Sequence, residues 1–342
     1  MNNKELIGAF SGLGEIMADA ATDSPSSSEA ISLRRIMDDQ YMLNSWFTPF
    51  NVRFAIEALS LMISPGKLES WLNKYSLPGD GKHELTVALV LAGNIPLVGF
   101  HDLLCVLASG NRALVKSSSK DPVLTRYIAD ILARINPAFK KMIRFTGGDL
   151  TGYDAIIATG SDNTRRYFEY YFGDKPHLFR NNRISVSIVT PETTDIELKL
   201  TGSDVFTYFG LGCRNISKLF LPVDFDHGRL IKLWGDYSHL LNHKGWSNNY
   251  RYNRAIMEID GLKFTDGEFF LLAENNSPFS PVSVIHYQYY DSVSKVLSEI
   301  SSINSKIQCV TGKGFIPCGK AQNPELWDYA DNVDTMKFLL AL

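Results

Sequence analysis

The chain has 342 residues, 45% hydrophobic and 12% aromatic, with 34 Lys and Arg against 37 Asp and Glu for a formal charge of −3. That much apolar mass builds about two domains, and the balanced charge gives no general attraction to nucleic acid or an anionic membrane surface. Four scattered cysteines, Cys105, Cys213, Cys309 and Cys318, form neither a disulfide framework nor a Cys-x-x-Cys half-site, so reduced thiols and no metal centre are expected.

Residues 1–30 are weakly patterned and carry no basic leader with a long apolar stretch, which predicts a cytoplasmic protein without an integral membrane segment. Thr22 to Glu29 reads as a polar loop whose Ser26 or Ser28 caps the next helix. From Ile36 to Tyr75 apolar residues recur at helical spacing, broken at Ser64-Pro65-Gly66. The continuous run Leu85 to Leu91 marks a strand buried on both faces of a parallel sheet. A helix over Leu97 to Ala108, a strand at Ala113 to Lys116, a helix over Val123 to Ile135, a strand at Ala155 to Thr159 and a helix over Asp162 to Phe172 follow. Strands at Ile184 to Val189, Lys218 to Val223, Val282 to Tyr287 and Lys306 to Thr311 continue the alternation, with helices over Asp195 to Val205 and Asp291 to Ile303. Such alternation implies a doubly wound α/β sheet.

Cys213 is the strongest nucleophile candidate. It lies in Gly210-Leu211-Gly212-Cys213-Arg214-Asn215, where small residues let a substrate approach both the sulfur and the backbone N–H behind it, as acyl transfer requires. The competing reading is a small apolar residue packed at a strand start. Cys105 and Cys309 lie in apolar runs and read as core, while Cys318 sits in a Pro-Cys-Gly turn. His239 and His243 are four apart but have neither a third ligand nor an acidic base between them. Trp234, Trp246 and Tyr250 to Tyr252 line an acyl pocket or fill core. Neither a Gly-x-Gly-x-x-Gly fingerprint nor a phosphate loop occurs. The chain instead carries, in order, a strand, Gly93-Asn94-Ile95-Pro96, a helix, a strand ending in Lys116, Gly160-Ser161 opening a helix, and Cys213.

This order resembles the aldehyde dehydrogenase superfamily over Leu85 to Thr311, and Pro278-Phe279-Ser280-Pro281-Val282 resembles that superfamily's turn near the nicotinamide ribose. Within it, Trp46-Phe47-Thr48-Pro49, Ala92 to Phe100, Gly212 to Asn215, Pro317 to Lys320 and Asp328 to Met336 resemble the acyl-CoA reductase family typified by the fatty-acid reductase of bacterial luminescence (LuxC-like). The resemblance implies an α/β, aldehyde-dehydrogenase-like fold: a Rossmann-type parallel-sheet domain and a second α/β catalytic domain. It places an N-terminal helical region at 1–84, a nucleotide-binding domain at 85–183, a catalytic domain at 184–318, and a returning segment at 319–342. It implies Cys213 as nucleophile, Asn94 as oxyanion donor, and Lys116, Ser119, Gly160, Ser161 and Phe279 at the cofactor.

Three departures sharpen that reading. Phe179 stands where hydrolytic members carry a water-activating Glu, so an acyl-enzyme should persist. Ser277 replaces a ribose-holding Glu, and Ser119 replaces the Glu that contacts the 2′-hydroxyl. With Lys116 and Lys120 nearby, that substitution favours NADPH. The expected reaction reduces an acyl-CoA, or an acyl-protein thioester, to an aldehyde, with a homo-oligomer or partner enzyme left open. The alternatives are a cysteine acyltransferase or thioesterase without hydride transfer, and a catalytically silent scaffold. His177, two residues before Phe179, is either an aid to the thiolate or a surface residue.

Overall fold

The computed structural model describes residues 2–77, 84–160 and 162–342. The chain divides into two compact units, residues 1–182 with 323–342, and residues 183–322.

The first unit opens with helix α1 (Asn3–Ala21), where the sequence shows little pattern. Asn2 and Glu5 form a reciprocal capping box, and Leu6, Ala9, Phe10, Leu13, Met17 and Ala20 make a buried stripe at helical spacing. A Cβ on Gly14 would lie 3.1 Å from Ile63, so the missing side chain lets α1 lie close to α3. Helix α2 (Ser28–Leu43) is capped by Ser27 rather than Ser26 or Ser28. Asp19 selects that residue by accepting the N–H groups of both Ser26 and Ser27, and these bonds hold its carboxyl down to about 2. Helices α3 (Pro49–Met62) and α4 (Pro65–Leu72) each begin with proline at the first helical position, where its missing N–H costs nothing.

Then the α/β alternation begins: β1 (Thr86–Val90), α5 (Phe100–Ala108), β2 (Arg112–Lys116), α6 (Leu124–Ile135), α7 (Phe139–Met142), β3 (Ile143–Phe145), β4 (Ala155–Thr159), α8 (Asp162–Phe172) and β5 (His177–Arg180). The strands form an all-parallel sheet in the order β3-β2-β1-β4-β5. Val87 and Leu89 face the large core that includes residues of α1 to α6, whereas Ala88 and Val90 face a second core containing Phe168 of α8. A strand covered on both faces must be apolar at every position, which is why Leu85 to Leu91 reads as an unbroken run.

The second unit comprises β6 (Ile184–Ile188), α9 (Asp195–Phe206), β7 (Ile216–Pro222), α10 (His227–Trp234), α11 (Lys244–Ile259), β8 (Phe264–Asp266), β9 (Leu271–Glu274), β10 (Val284–Tyr290), α12 (Val293–Ser302) and β11 (Ile307–Gly312). Its sheet runs β11-β6-β7-β10-β9-β8, parallel except for the β8–β9 pair. Phe206 is packed among Trp234, Trp246, Phe269 and Phe270 with ring centroids 5.3–5.9 Å away, so both tryptophans are core. Their indole N–H groups are satisfied by the carbonyls of Leu198 and Phe269.

The chain returns to the first unit through residues 323–342, which end in α13 (Thr335–Leu340). Arg180 and Asp102 form an ion pair of 2.6 Å with side chains only 4% and 11% exposed, and the guanidinium also donates to Ala330 O and Thr335 Oγ1. Tyr329 Oη accepts from Trp71 Nε1 at 2.7 Å and lies 2.6 Å from Tyr75 Oη. Removing one partner of a buried pair leaves an uncompensated charge, a loss of about 3–5 kcal/mol, so these contacts fix the returning segment.

Asp121 closes the loop that follows β1. Its carboxylate accepts the N–H of Leu97 at 3.1 Å and that of Leu124, the first residue of α6, at 3.3 Å. Burial outweighs both bonds and raises this carboxyl to about 6. A folded-state value above the unfolded one means the folded chain binds the proton more tightly. The resulting stability is complete below about pH 4 and is lost as pH rises through about 6. Relative to Asp121→Asn, which does not titrate, the unmodified protein should lose up to about 3 kcal/mol between about pH 4 and 7. Denaturant titrations of both proteins across that range check this, and a pH-independent difference would refute it.

Candidate active site

In the first unit the winding direction reverses between β1 and β4, whose neighbours β2 and β5 lie on opposite sides. Loops leaving the carboxyl ends of two such strands diverge, and doubly wound sheets take ligands in the crevice between them. Four of the expected residues come from the carboxyl ends of β1, β2 and β4. Asn94 is exposed in the loop after β1, Lys116 is half-buried as the last residue of β2, Ser119 is exposed just beyond it, and Gly160 follows β4. A Cβ on Gly93 would lie 2.7 Å from Ser118 Oγ and 2.9 Å from Lys120 Cβ, so only glycine lets the loops after β1 and β2 touch. A Cβ on Gly160 would meet Phe168 and Thr164 of α8 at 3.0 Å. Ser161 lies outside the described residues.

Phe179 is half-buried in the core that α8 covers, its ring 5.8 Å from Phe168 and stacked on His177 at 4.1 Å. His177 itself is exposed, with Nδ1 2.8 Å from Lys175 O.

In the second unit Cys213 is part-exposed in the turn that precedes β7. Asn215 builds that turn. Its backbone N–H donates to Gly212 O at 3.0 Å, and its Oδ1 accepts the Gly212 N–H at 2.8 Å. Its amide nitrogen faces the carbonyls of Thr207, Asp204 and Val205 at 2.8, 3.0 and 3.3 Å. Two protons shared among three carbonyls hold the end of α9 against the cysteine turn, and Asn215 is 3% exposed.

The chain between these points is strained. Tyr208, Phe209 and Gly210 are consecutive left-handed residues, with φ of 55°, 58° and 70°. Such a conformation costs about 1–2 kcal/mol at a non-glycine residue, which the Asn215 bonds at about 1 kcal/mol each offset. Phe209 also lies against the ring of His243 at 4.3 Å. His243 caps α11 through Nδ1, and His239 Nδ1 lies 2.7 Å from Asp236 O. Ser185 Oγ donates to Cys213 O at 3.0 Å.

The other thiols are placed differently. Cys105 and Cys309 are buried, and burial pushes the Cys105 thiol well up. Cys318 is also raised by burial. Phe279 is half-buried against the core around Ile184 and Val186. The Ser277 hydroxyl is turned back onto Phe279, donating to its O at 3.1 Å and accepting its N–H at 3.3 Å. It therefore serves the turn. Asn215 was missed in the sequence because the carbonyls its amide nitrogen faces lie eight to eleven residues upstream, a relation no local motif displays.

Asn215→Asp keeps the acceptor for Gly212 but turns an oxygen toward three carbonyls, and should cost about 3 kcal/mol or more. Chemical denaturation measures it. A loss below about 1 kcal/mol would show that this amide does not hold the turn.

Residues 79–166 match the family model described as acyl-CoA reductase (LuxC). No curated protein matches the chain. Among solved structures, an E. coli NADP dependent enzyme is 13% identical with a TM-score of 0.65, over 91% of this chain and 73% of that one. An aldehyde dehydrogenase from Bacillus cereus, solved as its NAD+ complex, is 13% identical with a TM-score of 0.62, over 91% and 72%. An oxidoreductase from Marinobacter aquaeolei is 10% identical with a TM-score of 0.63, over 91% and 73%. Among the described residues no helix is long and apolar enough to cross a membrane. The acyl-CoA reductase (LuxC) match thus lies within a chain whose fold is aldehyde-dehydrogenase-like.

Proposed function

We propose that the protein is an acyl-CoA reductase that converts an acyl thioester to an aldehyde through an acyl-enzyme on Cys213. The observation that carries this reading is the placement of Cys213, a part-exposed thiol on a turn that Asn215 and the left-handed segment before it hold in one shape. The family match over residues 79–166 supports the substrate class.

In the acylation step the Cys213 thiolate attacks the thioester carbonyl, the tetrahedral adduct collapses, and CoA leaves as a thiolate that takes up a proton. The Cys213 N–H, on the same turn, is the proposed oxyanion donor. The first unit is the proposed nucleotide-binding part. The strand-order reversal, the loop end at Lys116 and the glycine before α8 fit a dinucleotide, whose phosphates the N–H groups of a helix start would receive. The nicotinamide nucleotide, when bound, supplies the hydride. Ser119, exposed and uncharged beside Lys120, puts no carboxylate at that position to repel a 2′-phosphate, so NADPH is the proposed form. Cys213 then leaves the reduced carbon, releasing the aldehyde and regenerating its thiolate. Phe179 supplies no carboxylate to activate water, which supports reduction over hydrolysis.

Absorbance at the reduced-nicotinamide band should fall only when acyl-CoA is added, faster with NADPH than with NADH. Cys213→Ala should lower that rate by about a thousandfold or more. Acyl transfer to another thiol without nucleotide oxidation would instead identify a cysteine acyltransferase.

A further inference from the structure

Between β9 and β10 the chain passes through Asn275-Asn276-Ser277-Pro278-Phe279, and three successive carbonyls of this segment are each held by a different side chain. Lys218 Nζ donates to Asn276 O at 2.9 Å, His286 Nδ1 donates to Ser277 O at 3.0 Å, and Ser217 Oγ donates to Pro278 O at 2.8 Å. A carbonyl only accepts, which assigns the proton of His286 to Nδ1. Lys218 and His286 are register partners on β7 and β10, so the adjacent pinning points come from one level of the sheet.

Lys218 is the costly member of this set. Its side chain is 0% exposed and lies inside a sheet, where an apolar side chain would pack without a desolvation penalty. Gln288 Oε1 at 2.6 Å and Glu299 Oε1 at 3.3 Å satisfy part of the ammonium, and the face of Phe220 lies 4.9 Å away. Gln288 and Glu299 are already bonded to each other at 2.9 Å, so they have a partner without the lysine. The contact that Lys218 alone supplies is the one to Asn276 O. His286 is buried, and desolvation lowers its pKa, keeping the ring a neutral donor.

We propose that Lys218, His286 and Ser217 are positioning residues that hold the turn at residues 275–279 in one conformation, so that Phe279 is preset for the nicotinamide end of the nucleotide. The clamp itself is a property of the second unit; what the turn serves rests on the acyl-CoA reductase reading. Within the turn Asn275 Oδ1 accepts the Ser277 N–H at 2.8 Å and the Ser277 hydroxyl is spent on Phe279, so these three donors are the side chains of β7 and β10 that hold its carbonyls.

Hydrogen–deuterium exchange of the nucleotide-free protein tests the clamp directly. Lys218→Met and Ser217→Ala should each speed exchange of the amides in residues 275–283 about tenfold or more, while the amides of residues 212–215 stay as in the unmodified protein. In steady-state kinetics the same variants should raise KM for NADPH about tenfold, with KM for acyl-CoA and acylation of Cys213 unchanged. Ser217→Ala removes a single hydroxyl and decides the matter if Lys218→Met does not fold. Unchanged exchange in Ser217→Ala, or equal losses toward acyl-CoA and NADPH, would overturn the proposal. If the unmodified protein never oxidises NADPH, the functional reading fails while the exchange result still decides the clamp.

Discussion

Asn215 is the side chain on which the geometry of the cysteine turn depends. One amide group ties the carbonyls at the end of α9 to the Gly212 N–H, so the position of Cys213 is fixed from both sides. This matters because the intervening chain is otherwise unfavourable. Two aromatic residues with positive φ would relax to ordinary backbone unless the surroundings outweighed their strain. The aromatic packing of Phe209 on His243 and the hydrogen bonds of Asn215 provide that constraint together. A nucleophile on such a turn is preorganised and pays little reordering entropy when it reacts.

The two units solve the same problem with different materials. In the first, a five-stranded parallel sheet is covered on both faces, and the loops after β1 and β2 approach each other through Gly93. In the second, polar side chains tie down two turns: Asn215 and Ser185 at the cysteine turn, and Lys218, His286 and Ser217 at the turn after β9. Phe179 belongs to the core of the first unit. The next residue, Arg180, is committed to Asp102 and to the returning chain.

Much of the architecture was legible because two-sided burial forces apolar continuity, as in β1 and β4, and because Ser64-Pro65-Gly66 breaks the helical pattern where α4 begins. Helix α1 was not, since small residues such as Ala9, Gly14 and Ala20 form part of its buried stripe and carry little hydrophobic signal. Helix α11 was hidden for the opposite reason, with Trp246, Tyr250 and Met257 buried but separated by polar residues. Strand β5 is short and begins with exposed His177, so nothing local distinguishes it from loop. Cys213 stood out by its glycine-rich surroundings. Its supports did not, because Asn215, Ser185 and Lys218 act through contacts that only the folded chain creates.

The most direct test is mass spectrometry of the protein after incubation with an acyl-CoA and no reduced nucleotide, followed by peptide mapping. A single, persistent acyl adduct on the peptide containing Cys213, lost on addition of NADPH with release of aldehyde, is expected. Absence of an adduct, or an adduct on Cys318 instead, would contradict an acyl-enzyme on Cys213.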